Sequence, residues 1–191
     1  MIYIARHCRT AWNLENRLQG SLDPPLCKEG RAEALANVPN VKSLGIRRII
    51  TSPARRAIQT ARIYASQLHI AIEPHDGLRE LDHGLWEGQS IDDLMNPSKS
   101  SYALWLEEPS RVEIPGGSEN VASAQARIVD AVREIARRYP DERVLIITHK
   151  HIRALLACAF KGLPLTHFRS QIEEGILPAP LIMKSEGLDP Y

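Results

Sequence analysis

The sequence predicts an α/β fold, a three-layer sandwich with a mainly parallel central sheet and helices on both faces. Three short runs rich in β-branched residues carry this prediction, at residues 2–6, 47–52 and 143–148. None of them alternates apolar with polar residues, which is typical of strands that are covered on both faces. Helical patterns lie beside the second and third runs, so strands and helices alternate along the chain.

The helices are predicted from the spacing of apolar residues. From Pro53, which suits the first turn of a helix, apolar residues recur at helical spacing as far as Leu68. A longer pattern covers residues 118–139 and is closed by Pro140, and residues 151–160 resume it after the third strand. The order is therefore strand, helix, strand, helix.

The length of 191 residues suits one domain, predicted over residues 1–191. Residues 81–117 are its least regular part, rich in glycine and proline, and read as an insertion. Ligands bind beyond the carboxyl ends of parallel strands, so we expect this insertion to be a partial cover over the site. Residues 175–181 are apolar but hold two prolines, which predicts an edge strand or an extended strap.

Composition and charge exclude several classes of function. Lysine and arginine total 24 against 23 acidic residues, so the net charge of +1 provides no broad field for nucleic acid or an anionic membrane. Charged residues close to Met1 leave no room for a signal peptide, and no apolar run approaches the roughly 20 residues that cross a bilayer. The three cysteines show no CxxC spacing. We expect a reduced cytoplasmic protein without disulfides; a homodimer is compatible with the sequence.

The residues that carry chemistry stand where the predicted strands end. The first strand runs into Arg6-His7-Cys8-Arg9-Thr10, the third ends at His149, and Arg55-Arg56 follows the second at the start of a helix. Carboxyl ends of neighbouring parallel strands meet at one edge of a sheet, and helix N-termini favour anions. The sequence therefore predicts one anion-binding pocket with two histidines and at least two arginines.

A longer series of motifs surrounds these strand ends in a fixed order. It comprises Arg6-His7-Cys8-Arg9-Thr10, Trp12-Asn13, Arg17, Gln19-Gly20, Asp23, Pro25-Leu26, Gly30, Thr51-Ser52, Arg56-Ala57, Gln59-Thr60-Ala61, Leu78-Arg79-Glu80, Gly84-Leu85-Trp86-Glu87-Gly88, Pro115-Gly116-Gly117-Ser118-Glu119 and Thr148-His149. The series resembles that of the histidine phosphatase (phosphoglycerate mutase-like) superfamily from residue 2 to about 156. The ordered combination is far more specific than any single motif.

The resemblance implies a phosphoglycerate mutase-like fold and a metal-independent phosphomonoesterase, which acts through a phosphohistidine on a small-molecule phosphate ester. His7 is then the nucleophile, kept neutral by burial among arginines, while Arg6, Arg56 and a donating His149 stabilise the phosphoryl group. Glu80 is by resemblance the proton donor and then the base. No cofactor is implied. The expected substrate-binding residues are Thr10, Asn13, Arg17, Arg9 and Lys150.

Four positions depart from the pattern of this superfamily. Cys8 and Lys150 stand where glycine is usual beside a catalytic histidine, Arg9 stands where glutamate is common, and Cys27 replaces a threonine that would cap a helix. Flanking arginines predict that Cys8 favours the thiolate and is open to oxidation. Lys150 is expected to reach a second anionic group on the substrate.

Two other functions stay open. A phosphoglycerate mutase shares the phosphohistidine but returns the phosphoryl group to a bound organic acceptor, and the chain looks short for one. A catalytically weak protein that binds a phosphorylated ligand is favoured by Cys8, Arg9 and Lys150.

His149-Lys150-His151 also raises the question of a metal ion. Two histidines two positions apart at a helix start face different ways, and no carboxylate or thiol has a matching sequence spacing. The sequence therefore predicts no metal site.

Overall fold

A central sheet of five strands organises the computed structural model, which describes residues 1–173 and 175–181. The strand order is β3-β2-β4-β1-β5, and all neighbours are parallel except β5, which runs antiparallel to β1. The mainly parallel sheet and its three predicted strands are thus confirmed. The strands are β1 (Ile2–Arg6), β2 (Arg48–Thr51), β3 (Ala71–Pro74), β4 (Val144–Thr148) and β5 (Ala179–Pro180).

The register of the three inner strands brings their carboxyl ends together. Arg6 of β1 lies opposite Thr148 of β4, and Thr51 of β2 lies opposite Ile147. The backbone continues this pairing beyond the strands, because the His7 N–H donates to the Thr148 carbonyl at 3.0 Å. The residues that follow β1, β2 and β4 therefore leave the sheet side by side.

Helices cover both faces of this sheet. Alternate strand residues point to opposite faces and join two separate apolar clusters, one with α2 and α3 and the other with α6 and α7. The three-layer sandwich is confirmed. The helices are α1 (Ala11–Leu14), α2 (Lys28–Ser43), α3 (Arg55–Leu68), α4 (Ile91–Leu94), α5 (Tyr102–Glu107), α6 (Val121–Arg138) and α7 (Lys150–Lys161).

The spacing of apolar residues did not predict helix α2, although the resemblance placed a capping position at residue 27, and the residue that caps it is unusual. Cys27 stands at the N-cap, where its thiol sulfur accepts a hydrogen bond from the Gly30 N–H at 3.3 Å. The thiol thus takes the position of a capping hydroxyl, which satisfies one of the unpaired N–H groups of the first turn.

The predicted cover, residues 81–117, contains α4 and α5 and is packed as part of a core. Its three large aromatic residues, Trp86, Tyr102 and Trp105, are almost fully buried and contact one another at centroid distances of 5.3–5.6 Å. Each aromatic side chain buries a large apolar area, so few regular backbone elements are needed to hold the segment in place.

The C-terminal prediction of an edge strand is confirmed by β5. Its Pro180 lies opposite Tyr3 in the last strand of the sheet. Proline has no N–H to donate, and an edge strand tolerates this because no further strand pairs with its outer side. Residues 182–191 of the predicted domain lie outside the described residues. No helix within residues 1–173 and 175–181 is long and apolar enough to cross a membrane.

Candidate active site

A cleft of about 480 Å³ lies where β1 and β4 end. Its walls come from the strand ends, from the N-terminus of α7 and from the cover, which contributes Ile91 and Tyr102. The fold therefore brings together residues that are far apart in sequence. Of the residues predicted from the sequence, the cleft is lined by Arg6, His7, Arg9, Asn13, Arg17, Arg56, Glu80 and Lys150.

His7 is held in one tautomer. Its Nδ1 lies 2.8 Å from the carbonyl oxygen of Cys8, and because a carbonyl only accepts, Nδ1 carries the proton. Burial, followed by the charge of Arg56, the adjacent ring of His149 and the charge of Arg6, holds the pKa of His7 well below its usual value. The side chain is therefore neutral, and its lone pair lies on Nε2.

Arg56 is buried at the start of α3 and is fixed by several acceptors. Its terminal nitrogens donate to the carbonyl oxygens of Leu22 at 2.9 Å and Gly20 at 2.7 Å, and it forms an ion pair with Asp23 at 3.2 Å. Its Nε is buried and has no hydrogen-bond partner among the described residues. The guanidinium is thus immobilised with one donor left for an anion.

His149 follows β4 and lies beside His7, with ring centroids 5.2 Å apart. Its Nδ1 lies 3.2 Å from an Arg56 nitrogen and its Nε2 lies 2.7 Å from Ser52 Oγ. Arginine only donates, so Nδ1 accepts and Nε2 carries the proton. Both nitrogens are therefore engaged, and donation from His149 to a phosphoryl group requires one of these bonds to be exchanged.

Glu80 comes from the loop before the cover, and only 8% of its side chain is exposed. One carboxylate oxygen accepts from the Leu81 N–H at 3.0 Å, and the other lies 3.7 Å from His151 Nδ1. Burial alone raises the pKa of Glu80, but the neighbouring His151, with His149 and His83 close by, outweighs burial and lowers the pKa well below its usual value. Glu80 and His151 therefore have to be treated as a pair.

Three cations form the rim of the cleft. Arg9 is ion-paired with Glu33 at 3.3 Å, and Arg17 with Glu15 at 2.9 Å, while Lys150 begins α7. About half of each arginine side chain is exposed. Arg17 also donates to the Gly88 carbonyl oxygen at 2.9 Å, so both arginines are held by protein partners at the rim.

Thr10 and Asn13 have a structural role that the sequence prediction did not assign. Thr10 is fully buried and is not among the residues that line the cleft. Its N–H and hydroxyl both donate to Asn13 Oδ1, at 3.0 and 3.1 Å, and it caps helix α1. Thr10 therefore caps α1 and does not line the cleft, whereas Asn13 lines it; contact of either residue with substrate stays a prediction.

The prediction that Cys8 favours a reactive thiolate is wrong. Cys8 is fully buried beneath the strand end, and its Sγ lies 3.7 Å from the Tyr64 hydroxyl. Burial raises the pKa of the thiol to about 11, which exceeds the opposing effect of Arg9. The flanking Arg6 and Arg9 line the cleft, whereas the thiol is buried away from it. Their adjacency in sequence therefore did not predict the surroundings of the thiol.

Sequence reasoning gave no role in the site to Ser52, Tyr102 or His151, although Ser52 stands in one of the motifs and His151 was considered as a metal ligand. Ser52 follows a buried strand directly, so its position at a strand end was a usable signal for the partner of His149. His151 and Tyr102 line the cleft, but no local pattern marks them. Only the packing of the cover against α7 brings them to the site.

Comparison with known proteins agrees with this geometry. The family model described as histidine phosphatase superfamily (branch 1) matches residues 2–174. Phosphoserine phosphatase 1 of Hydrogenobacter thermophilus is 30% identical over 169 residues, which are 88% of this chain and 80% of that protein. Probable phosphoglycerate mutase GpmB of Enterobacter sp. is 31% identical over 163 residues, which are 85% of this chain and 75% of that protein.

Solved structures share the fold over a similar length. Bacillus stearothermophilus YhfR superposes with a TM-score of 0.79 at 33% identity, covering 88% of this chain and 83% of that chain. A mycobacterial glucosyl-3-phosphoglycerate phosphatase, solved in complex with VO3, gives 0.78 at 26% identity and covers 88% and 85%. With strand ends, motif order and whole-chain similarity in agreement, the chain belongs to the histidine phosphatase superfamily.

Proposed function

We propose that this protein is a metal-independent phosphomonoesterase that hydrolyses a small phosphorylated metabolite through a phosphohistidine at His7. The observation that carries the proposal is the fixed tautomer of His7. Its Nδ1–H is bonded to a carbonyl, so the free lone pair of a neutral, buried imidazole lies on Nε2. A histidine in this state is a nucleophile at physiological pH.

In the first step Nε2 of His7 attacks phosphorus, and the bond from phosphorus to the ester oxygen breaks. Negative charge spreads over the three equatorial oxygens, where Arg6 and the buried Arg56 supply compensating positive charge. His149 contributes by holding the Arg56 guanidinium. Because side chains provide this charge, the proposed reaction needs no metal ion.

The departing ester oxygen needs a proton, and Glu80 is the proposed donor. The dianionic phosphate brings negative charge beside the Glu80–His151 pair, which raises the pKa of Glu80 and favours its protonated form. In the second step water attacks the phosphohistidine, the nitrogen–phosphorus bond breaks, and Glu80 takes a proton from the water. Inorganic phosphate then leaves with both residues restored.

The rim cations support a substrate with a second anionic group. Arg9, Arg17 and Lys150 all line the cleft beyond the phosphoryl pocket. Two relatives carry the names phosphoserine phosphatase and glucosyl-3-phosphoglycerate phosphatase, and both names describe esters that also bear a carboxylate. A cleft of about 480 Å³ fits a metabolite of that size.

A phosphoglycerate mutase is the second candidate, because one relative is named as a probable phosphoglycerate mutase. Its first step is the same, but the phosphoryl group passes from His7 to an organic hydroxyl instead of water. Assays of phosphate release and of phosphoglycerate isomerisation on the same preparation separate the two. Isomerisation faster than phosphate release overturns the proposal of a hydrolase.

The decisive experiment is trapping of the phosphoenzyme. Rapid quenching of the wild type with a radiolabelled phosphate ester should give an acid-labile, base-stable label that turns over as phosphate appears, with a chelator present throughout. His7→Ala should lose both label and turnover, whereas His167→Gln, which changes an exposed histidine, should retain both. Tight phosphate binding without any label would instead identify a binding protein.

A further inference from the structure

Glu80, His83 and His151 form a compact group beneath the cleft. A ligand atom of each, a carboxylate oxygen or an imidazole nitrogen, lies within 4.8 Å of the other two. His83 Nε2 and His151 Nδ1 are 2.9 Å apart, although 68 residues separate them in sequence. His83 comes from the cover and His151 from α7, so the group exists only because the cover packs onto that helix.

The three side chains cannot satisfy all of their hydrogen bonds with one another, and a cation between them would resolve this. His83 Nδ1 is buried and has no partner among the described residues, so a proton there would lack an acceptor, and the proton of neutral His83 belongs on Nε2. It is then donated to His151 Nδ1, whose lone pair is also turned toward the Glu80 carboxylate 3.7 Å away. One positive charge between the three side chains removes this conflict.

We infer that Glu80, His83 and His151 form a binding site for a divalent transition-metal ion of the zinc type, and that an ion there blocks the proton donor of the reaction. The inference rests on the proposed function for the second part, since Glu80 is the proposed donor. A bound ion occupies the carboxylate that would otherwise carry the proton.

Two imidazoles and one carboxylate are a ligand set suited to Zn²⁺ and Co²⁺ rather than to Mg²⁺ or Ca²⁺. Nitrogen and oxygen ligands of zinc lie about 2.0–2.2 Å from the ion, so the ligand atoms of one site are roughly 3.3 Å apart. The two separations that involve His151, 2.9 and 3.7 Å, bracket this value, and the third pair, Glu80 and His83, lies within 4.8 Å. Glu80 and His151 also line the cleft, which gives the ion an entry path and leaves a coordination position open to solvent or phosphate.

The surroundings of the site set its affinity. The Trp105 ring packs edge-on against both imidazoles, at 5.5 and 5.8 Å, and Tyr102 Oη lies 3.5 Å from His151 Nε2. These contacts orient the rings. Metal binding moves the His83 proton to Nδ1, which has no acceptor, and a missing outer partner weakens a metal site by about 10–100-fold. The site is therefore reversible rather than structural.

Binding is tested with Co²⁺ alone, whose visible absorption reports the number and type of its ligands. The wild type should bind one equivalent with intense bands of four- or five-coordinate cobalt, and Zn²⁺ should remove them. His83→Phe keeps a ring of similar shape and should lose the bands, as should His83→Gln, which serves if the Phe variant does not fold. His167→Gln should match the wild type. Unchanged bands in either folded His83 variant, or no binding to the wild type, overturn the site.

Inhibition is tested in the same variants with two substrates. Zn²⁺ should slow hydrolysis of an alkyl phosphate at least tenfold and an aryl phosphate much less, because an aryl leaving group needs little protonation. His83→Phe should keep its basal activity and resist Zn²⁺. Equal inhibition of both substrates, in wild type and variant alike, places the ion at His7 and overturns the inference. Cobalt binding that depends on His83 but causes no inhibition overturns the blocking role alone, because the role of Glu80 is tested separately with Glu80→Gln.

Discussion

The strand-end wall of the cleft and its cover differ in how their polar groups are held. At the strand ends His7 is fixed by a backbone carbonyl and His149 by the Ser52 hydroxyl and Arg56, so hydrogen-bond partners set the tautomer of each ring. In the cover, the imidazole of His83 is held by aromatic rings and by a single hydrogen bond. The groups of the wall therefore suit the phosphoryl group that all phosphate esters share. The cover contributes to the stability of the fold and to the selection of ligands by the cleft.

The largest expected effect on stability concerns the cover. Trp105 is fully buried among aromatic rings, so Trp105→Ala should lower the free energy of unfolding by about 3–5 kcal/mol in urea denaturation. The matched control is Leu104→Ala on the same helix, whose side chain is 55% exposed and should change stability by less than about 1 kcal/mol. Equal losses in the two variants would mean that the cover is not a packed core.

A substitution of Glu80 should slow the hydrolysis of alkyl phosphates much more than that of aryl phosphates. Glu80→Gln removes the proposed proton donor but keeps the size of the side chain, so hydrolysis of alkyl phosphates should fall by about 100-fold or more. Aryl phosphates should lose far less, because their leaving oxygen is stable without a proton. Comparable losses in kcat/KM on both substrate types would assign the proton transfer to another residue.

Because His7 is buried, the free energy of unfolding should decrease in acid. Its pKa in the folded state lies below the unfolded value of about 6.5, because of burial, the charge of Arg56, the adjacent ring of His149 and the charge of Arg6. Below pH 6.5 the unfolded chain therefore takes up a proton that the folded chain does not, and stability falls as the pH falls.

His7→Gln tests this effect directly. Between pH 7 and pH 5 the variant should lose about 2 kcal/mol less stability than the wild type, measured by urea denaturation at each pH. Parallel curves for the two proteins would show that His7 is protonated in the folded state at pH 5. The pocket would then not keep its nucleophile neutral.

The smallest expected effect concerns the rim. Lys150→Gln should raise KM about tenfold, or about 1.4 kcal/mol, for esters with a second anionic group, and leave simple aryl phosphates nearly unchanged. Glutamine keeps a long side chain at the first position of α7, so the backbone at His149 should be undisturbed. A uniform rate increase on every substrate would show that the lysine obstructs the cleft.

The prediction of the sheet was correct because strands that are buried on both faces have continuous runs of apolar, β-branched residues, as at residues 143–148. Strand β3 was missed since its residues are half exposed at the sheet edge and include Pro74. Helix α2 was missed for a similar reason, because Pro39 lies inside it and its apolar face is narrow. Partly solvated elements carry weak patterns, and neighbouring elements hold them in place.

The sequence by itself determined the parallel sheet, the strand-end positions of His7 and His149 and the arginine at the start of α3, since each depends on local pattern and on the geometry of parallel strands. Only the tertiary structure decided that Cys8 is buried beside Tyr64 and that Glu80 meets His83 and His151. Those outcomes depend on which side chains are packed together across many residues of sequence. Burial and hydrogen-bond partners, which set protonation and reactivity, are properties of that packing.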